Sequence, residues 1–311
     1  MKKIFRLLAV VIIILLLIPV AIVFLRPNRI IAKDKAKREL SKPYSHFIQW
    51  RDAEIHYTDE GSGFPVLMIH GFGGSYANFQ KLADLMKNDY RVIRIDLPGF
   101  GLSDFPTVKE DENYIADYKE YLGYILDTLH LDSVYVIGNS MGGGMTWLMA
   151  ADHPEKVKKI VLLDAAGYDT KDVAAKLAMF KYKSVAKVFD RGMPMFMSKS
   201  GAEKSYCRKE KIEPAVVRLN NHFTNREGNI THMLNLARSQ QFADSAWIQN
   251  VHCPTLIVWG KQDEIIPLEH AYRFQRDIKG SELVLLDSCG HCPMMEMPFE
   301  TEQAIVKFFK E

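Results

Sequence analysis

At 311 residues, with 48% hydrophobic and 25% charged side chains, the chain has ordinary globular composition and enough material for one large core with an accessory piece. A formal net charge of +2, without a basic stripe interleaved with aromatics in the body, argues against nucleic acid as a partner. Four cysteines, Cys207, Cys253, Cys289 and Cys292, are too few for a disulfide framework in a chain of this length and fix no redox compartment.

In chain order, the first element is apolar. After "MKKIFR", residues 7–25 read "LLAVVIIILLLIPVAIVFL" without a charge, a run of about 28 Å as a helix, enough to cross the hydrocarbon of a bilayer. Residues 1–30 are therefore expected to be an N-terminal transmembrane anchor, placing the protein at a membrane as a single-pass chain. No small-x-small cleavage site follows Leu25, which favours an uncleaved anchor over a signal peptide. The side of the membrane stays open: Lys2, Lys3 and Arg6 precede the span, and Arg26, Arg29, Lys33, Lys35, Lys37 and Arg38 follow it. Residues 31–46 read as a basic linker, and the basic stretch 26–38 either lies on anionic headgroups or is simply solvated.

From Phe47 the chain alternates strand-like and helix-like runs. "FIQW" and "EIHYT" read as a hairpin; "PVLMIH", "YRVIRID", "SVYVIGN", "KKIVLLD", "PTLIVWG" and "ELVLLDS" are short apolar runs of the kind buried in a parallel sheet. In "NYIADYKEYLGYILDTLH", Ile115, Tyr118, Leu122, Ile125 and Leu129 recur at helical spacing, a crossover helix between two strands. The expected fold class is α/β, a mostly parallel doubly wound sheet with an antiparallel start. Residues 168–252 break the rhythm; they are helix-compatible and carry Met179, Met193, Met195, Met197 and Met233. This interval reads as a helical cap, or lid, inserted into a core formed by residues 47–167 and 253–311. The methionines suit ordinary packing and a lipid-chain surface equally.

Candidate chemistry sits at strand ends. Gly138-Asn139-Ser140-Met141-Gly142 is a G-x-S-x-G pentapeptide between an apolar strand and a helical run, where a serine is held on a sharp, strained turn and the flanking glycines avoid collisions. Serine needs a base, itself oriented by an acid. His291 follows "ELVLLDS" and Asp263 follows "PTLIVWG", giving the order serine, aspartate, histidine. Amide N–H groups of Met141 and of Phe72 in "HGFGG" are the expected oxyanion donors, and the same two residues are expected to touch substrate. Gly71, Gly73 and Gly74 let that loop approach, His70 positions it, and Asp96 is expected to bind backbone around the "DLPGFG" turn. Asp164, at the end of the strand before the cap, competes with Asp263 for the role of acid.

On these motifs, "HGFGG", "DLPGFGLSD", "GNSMGG", "GKQDEIIP" and "GHCPMMEMP", residues 47–311 resemble an α/β-hydrolase. The combination is similar to bacterial lipases and esterases of the group called family V, and to membrane-anchored monoacylglycerol lipases. The resemblance implies ester hydrolysis of lipid-like or short-to-medium acyl substrates through an acyl-enzyme, with no metal or organic cofactor. It fixes neither the acyl chain nor the oligomeric state.

Two alternatives stand beside this reading. Carbon–carbon bond hydrolases of the meta-cleavage type share "GNSMGG" but usually carry tryptophan after the catalytic Gly-His, where this chain has Cys292. Cys289-Gly290-His291-Cys292 is also the CxxC of a thiol-disulfide oxidoreductase. Only a short C-terminal stretch follows it, beginning with Pro293, which leaves no room for a redox domain.

Overall fold

The computed structural model describes residues 27–107, 113–168, 189–239 and 243–311. The apolar stretch 7–25 and cap residues 169–188 lie outside the described residues, among which no helix is long and apolar enough to cross a membrane.

Eight strands form one sheet: β1 (Ser45–Trp50), β2 (Ala53–Glu60), β3 (Phe64–Ile69), β4 (Tyr90–Ile95), β5 (Val134–Asn139), β6 (Val157–Leu163), β7 (Thr255–Gly260) and β8 (Glu282–Leu286), in the order β1-β2-β4-β3-β5-β6-β7-β8. The β1–β2 hairpin is antiparallel, β2 runs antiparallel to β4, and every later pairing is parallel.

Alternation along each strand splits the apolar residues into two cores. Leu67, Ile69, Val136, Ile160, Leu162, Ile257 and Trp259 face one side of the sheet. There they meet α3 (Tyr114–Thr128), α4 (Met141–Asp152) and α8 (Glu269–Asp277), which contribute Tyr118, Trp147 and Phe274. Val66, Met68, Ile137, Val161, Leu163, Leu256 and Val258 face the other side. They pack on α2 (Gln80–Met86), the short α9 (Pro293–Glu296) and α10 (Pro298–Lys310), through Leu82, Met294 and Phe308. Because both faces are covered, the strands read as continuous apolar runs. Each fully buried aliphatic or aromatic side chain contributes about 2 kcal/mol of transfer free energy.

One region differs from what the sequence suggests. Residues 31–46, expected as a linker, carry helix α1 (Lys33–Leu40) and the start of β1. The helix is strongly hydrophilic, yet Ala36 on its inner face is fully buried in a small cluster with Tyr76, Leu102 and Phe223. One buried alanine leaves no apolar stripe to read. Ahead of it the chain is laced to the cap: the Ile31 N–H donates to Asn225 O (2.8 Å), Glu227 N–H donates to Ile31 O (2.9 Å), and Arg29 N–H donates to Arg191 O (2.9 Å). Between β6 and β7 the described part of the cap interval contributes α5 (Met195–Ser205), α6 (Pro214–Thr224) and α7 (Asn229–Ser239).

The chain runs from β3 to β4 on one side and then crosses to β5 on the other. The sheet therefore opens a crevice beyond the C-terminal ends of β3 and β5, where such folds bind ligands.

Candidate active site

Ser140 sits directly after β5 and caps α4, with φ 56° and ψ −121°. That left-handed geometry costs a non-glycine residue about 1–3 kcal/mol and persists only when its surroundings enforce it. Here they do: Ser140 N–H donates to Leu163 O (3.0 Å), while its carbonyl accepts from Gly144 N–H (3.0 Å) and Ala166 N–H (2.8 Å). A Cβ on Gly138 would meet Gly142 O at 2.2 Å, and one on Gly142 would meet Ile69 O at 2.1 Å. Both positions therefore exclude side chains.

Opposite the serine runs the loop after β3. A Cβ on Gly71 would stand 2.9 Å from Ser140 Cβ, so the loop passes against the serine. His70 pins it. Leu97 N–H donates to its Nε2 (3.1 Å), which leaves Nδ1 to donate to Gly71 O (2.7 Å). Burial lowers the His70 pKa and keeps the ring neutral, as that tautomer requires. Met141, as first residue of α4, has an N–H without an intrahelical acceptor. Phe72 projects from the loop with 42% of its surface exposed.

Asp96 is not part of this constellation. Its carboxylate accepts from Tyr76 N–H (2.6 Å) and Leu102 N–H (2.8 Å) and pairs with His56 Nδ1 (2.8 Å). Burial works to raise its pKa, but His56, His70 and the Leu102 amide together hold it below the usual carboxylate range.

His291 Nδ1 lies 2.7 Å from Asp263 Oδ2, and Asp263 Oδ1 accepts from Ile265 N–H (2.7 Å) and Ile266 N–H (3.1 Å). Of the two candidate acids, Asp263 makes the contact with the imidazole. Asp164 accepts from Gly260 N–H through Oδ1 (2.9 Å).

Three residues that sequence reasoning passed over hold this arrangement. Asn139, next to Ser140, donates to Leu163 O (3.1 Å) and to His291 O (2.9 Å), fastening the histidine loop to the serine turn. Glu296, almost fully buried, accepts from Gly290 N–H (2.8 Å), Arg208 N–H (2.6 Å) and Cys207 N–H (3.2 Å). It joins the histidine loop to the cap, as does the His291 N–H donating to Ser205 O (2.8 Å). His232, on α7, stacks on Phe105 (3.9 Å between centroids), and its Nε2 lies 3.0 Å from the Tyr118 hydroxyl. Burial takes its pKa down to about 3. A polar residue bonding distant backbone leaves no periodic signal; adjacency to a motif was the one hint, for Asn139 and Glu296.

All four cysteines are free. Burial pushes the Cys289 and Cys292 thiols far above their ordinary range, and neighbouring carboxyl groups push the same way. Thiolate chemistry is disfavoured at both.

A family model described as alpha/beta hydrolase fold matches residues 65–298. The chain belongs to this family. As an α/β-hydrolase it is 28% identical over 289 residues to the 2-hydroxy-6-oxo-6-(2'-aminophenyl)hexa-2,4-dienoic acid hydrolase of Metapseudomonas resinovorans, covering 89% of this chain and 94% of the relative. Among solved structures it is similar to a serine hydrolase involved in carbazole degradation, with TM-score 0.69, 25% identity, and coverage of 86% of this chain and 98% of the other. It shares its fold with a membrane phospholipase A described as a bacterial virulence factor, with TM-score 0.73, 24% identity, and coverage of 100% of this chain and 98% of the other.

Proposed function

We propose that this α/β-hydrolase cleaves carboxylic esters with apolar acyl groups by two-step acyl transfer. Ser140 Oγ attacks the ester carbonyl as His291 takes its proton; Asp263 orients the imidazole and stabilises its cation; the Met141 and Phe72 amides receive the oxyanion. Collapse of the tetrahedral intermediate expels the alcohol, protonated by His291. Water, deprotonated by the same histidine, then attacks the acyl-enzyme and releases the acid.

The observation that carries the reading is the group of apolar side chains gathered about the loop after β3, among them Phe72, Phe100 and Met233. Met141 on the turn, Ile265 beside the acid, and Met233 and Leu236 on α7 are partly buried against one core. The Met233 methyl would meet a Cβ on Gly73 at 3.4 Å, so the cap lays a flexible thioether over the oxyanion loop. Exposed Phe72 packs edge-on to Phe100 at 5.7 Å and extends the same surface. The proposal includes a membrane location through residues 7–25, supported by their uninterrupted apolar sequence.

A second reading, carbon–carbon bond hydrolysis of a dienoate, is favoured by the curated relatives, which lean towards it more than towards ester cleavage. Against it stands Cys292 after the catalytic Gly-His. One assay decides between them: p-nitrophenyl esters of graded acyl length against a 2-hydroxy-6-oxo-dienoate. Ester turnover exceeding dienoate turnover by about a hundredfold in kcat/KM, on the order of 3 kcal/mol of transition-state discrimination, is expected. The reverse ranking establishes the second reading.

A further inference from the structure

Asp164 is the one member of the strand-end cluster that the proposed mechanism leaves without a role. It follows β6, has no exposed surface, and adopts a left-handed backbone with φ 44°. Its Oδ1 is taken by Gly260 N–H, and its Oδ2 is buried without a hydrogen-bond partner. One Asp164 oxygen, one Asp263 oxygen and a ring nitrogen of His291 all lie within 4.8 Å of one another. The Asp263 carboxyl is within hydrogen-bonding reach once either group carries a proton.

Two buried carboxylates cannot both ionise cheaply at that separation. Asp263 accepts two backbone N–H groups and faces the imidazole, so the negative charge is best satisfied there. Burial, and then the charge on Asp263, drive the Asp164 pKa well upward, with Glu296 acting in the same direction. The other titratable groups around it are Cys289 and Cys292, which are neutral at ordinary pH, and His291.

We propose that Asp164 carries its proton on Oδ2 and donates it to Asp263, acting as a positioning residue for the acid that orients His291. The inference rests on the triad assigned above. As His291 becomes a cation during acyl transfer, one negative charge faces it, fixed in place by a neutral donor, instead of two that repel each other.

The test is the pH dependence of phosphonylation by a fluorophosphonate in the full-length protein, Asp164→Asn and Asp164→Ala. This reads the serine-histidine-aspartate machinery whatever the natural substrate, so failure of the ester reading leaves the test intact. Asp164→Asn replaces one neutral donor by another and tolerates the left-handed backbone; its rate should stay within about threefold of wild type with an unmoved acid-side midpoint. Asp164→Ala removes the donor and makes the Asp263 carboxylate a stronger partner for the imidazolium. Its midpoint should rise by about half a pH unit and its rate fall about tenfold. Midpoints that move to lower pH in both variants would mean that Asp164 is ionised. An Asp164→Ala midpoint that stays put, with only melting temperature changed, would reduce Asp164 to a structural role. An infrared difference spectrum between wild type and Asp164→Asn decides independently of the alanine variant's folding. A protonated carboxyl band at neutral pH supports the proposal, and its absence overturns it.

Discussion

The ends of the sheet and the cap above them are held by different forces. Strand β7 is buried along its whole length, and the turns after β5, β7 and β8 are anchored by backbone hydrogen bonds. In the described part of the cap, α5 has no buried residue, α6 buries three and α7 buries five. Among the described residues, polar contacts add to the small apolar clusters that hold the cap. Asn221 and Asn225 bond Met193 O, Arg226 pairs with Asp104 (2.7 Å), and Glu296 gathers three amide N–H groups. Apolar burial dominates the sheet ends, whereas the described helices between β6 and β7 combine small apolar clusters with polar contacts. The contrast suits a site whose chemistry is common and whose substrate is not.

Breaking the sheet-end site should have the largest effect. Ser140→Ala is expected to lower turnover by about 10⁶-fold, because the three groups act as a unit. A fluorophosphonate should label wild type and not the variant; persistent labelling would move the nucleophile elsewhere. Asp263→Asn should cost about 10⁴-fold by leaving the imidazole in the wrong tautomer. If kinetics instead rank Asp164→Asn as the more damaging change, the acid has been misassigned.

The join between the two regions should give intermediate effects. Glu296→Ala strands three amide donors and is expected to lower unfolding free energy by about 3 kcal/mol, with activity reduced on the order of tenfold. Denaturant titration of the purified variant measures the first and ester turnover the second. His232 gives the cap a pH signature. Its folded pKa, about 3, lies below the unfolded value near 6.5, so the unfolded state binds the proton first as pH falls. Its contribution is present above pH 6.5 and is lost between there and about pH 3, at up to about 1.4 kcal/mol per unit. Melting curves of wild type and His232→Phe should diverge in that window, and parallel curves would contradict the assignment. The smallest change is expected from replacing both Cys289 and Cys292 by serine, which should leave ester hydrolysis within about threefold of wild type. Inactivity of that double variant, with insulin reduction by wild type, would revive the thiol reading.

Much of the sheet was legible because its strands are buried on both faces and therefore read as unbroken apolar runs, "PTLIVWG" above all. Ser140, Asp263 and His291 could be singled out because each directly follows such a run. Asp263 was preferred to Asp164 from its place in "GKQDEIIP", although both end strands that are neighbours in the sheet. Glu296 and Asn139 were passed over because their partners are backbone groups up to 152 residues away along the chain, and no local pattern encodes such a contact. Helix α1 was hidden by its own charge: its packing depends on Ala36 alone among its residues being buried.

The lacing of Arg29 and Ile31 to the cap determines where the protein can be cut. A shortened form beginning near residue 40, convenient for removing the apolar start, would also delete α1, uncover Tyr76, Leu102 and Phe223, and take from Asn225, Glu227 and Arg191 the chain they bond. Beginning at residue 27 spares all of these contacts, so differences in activity between the two lengths would report on the cap's support and not on the loss of a membrane.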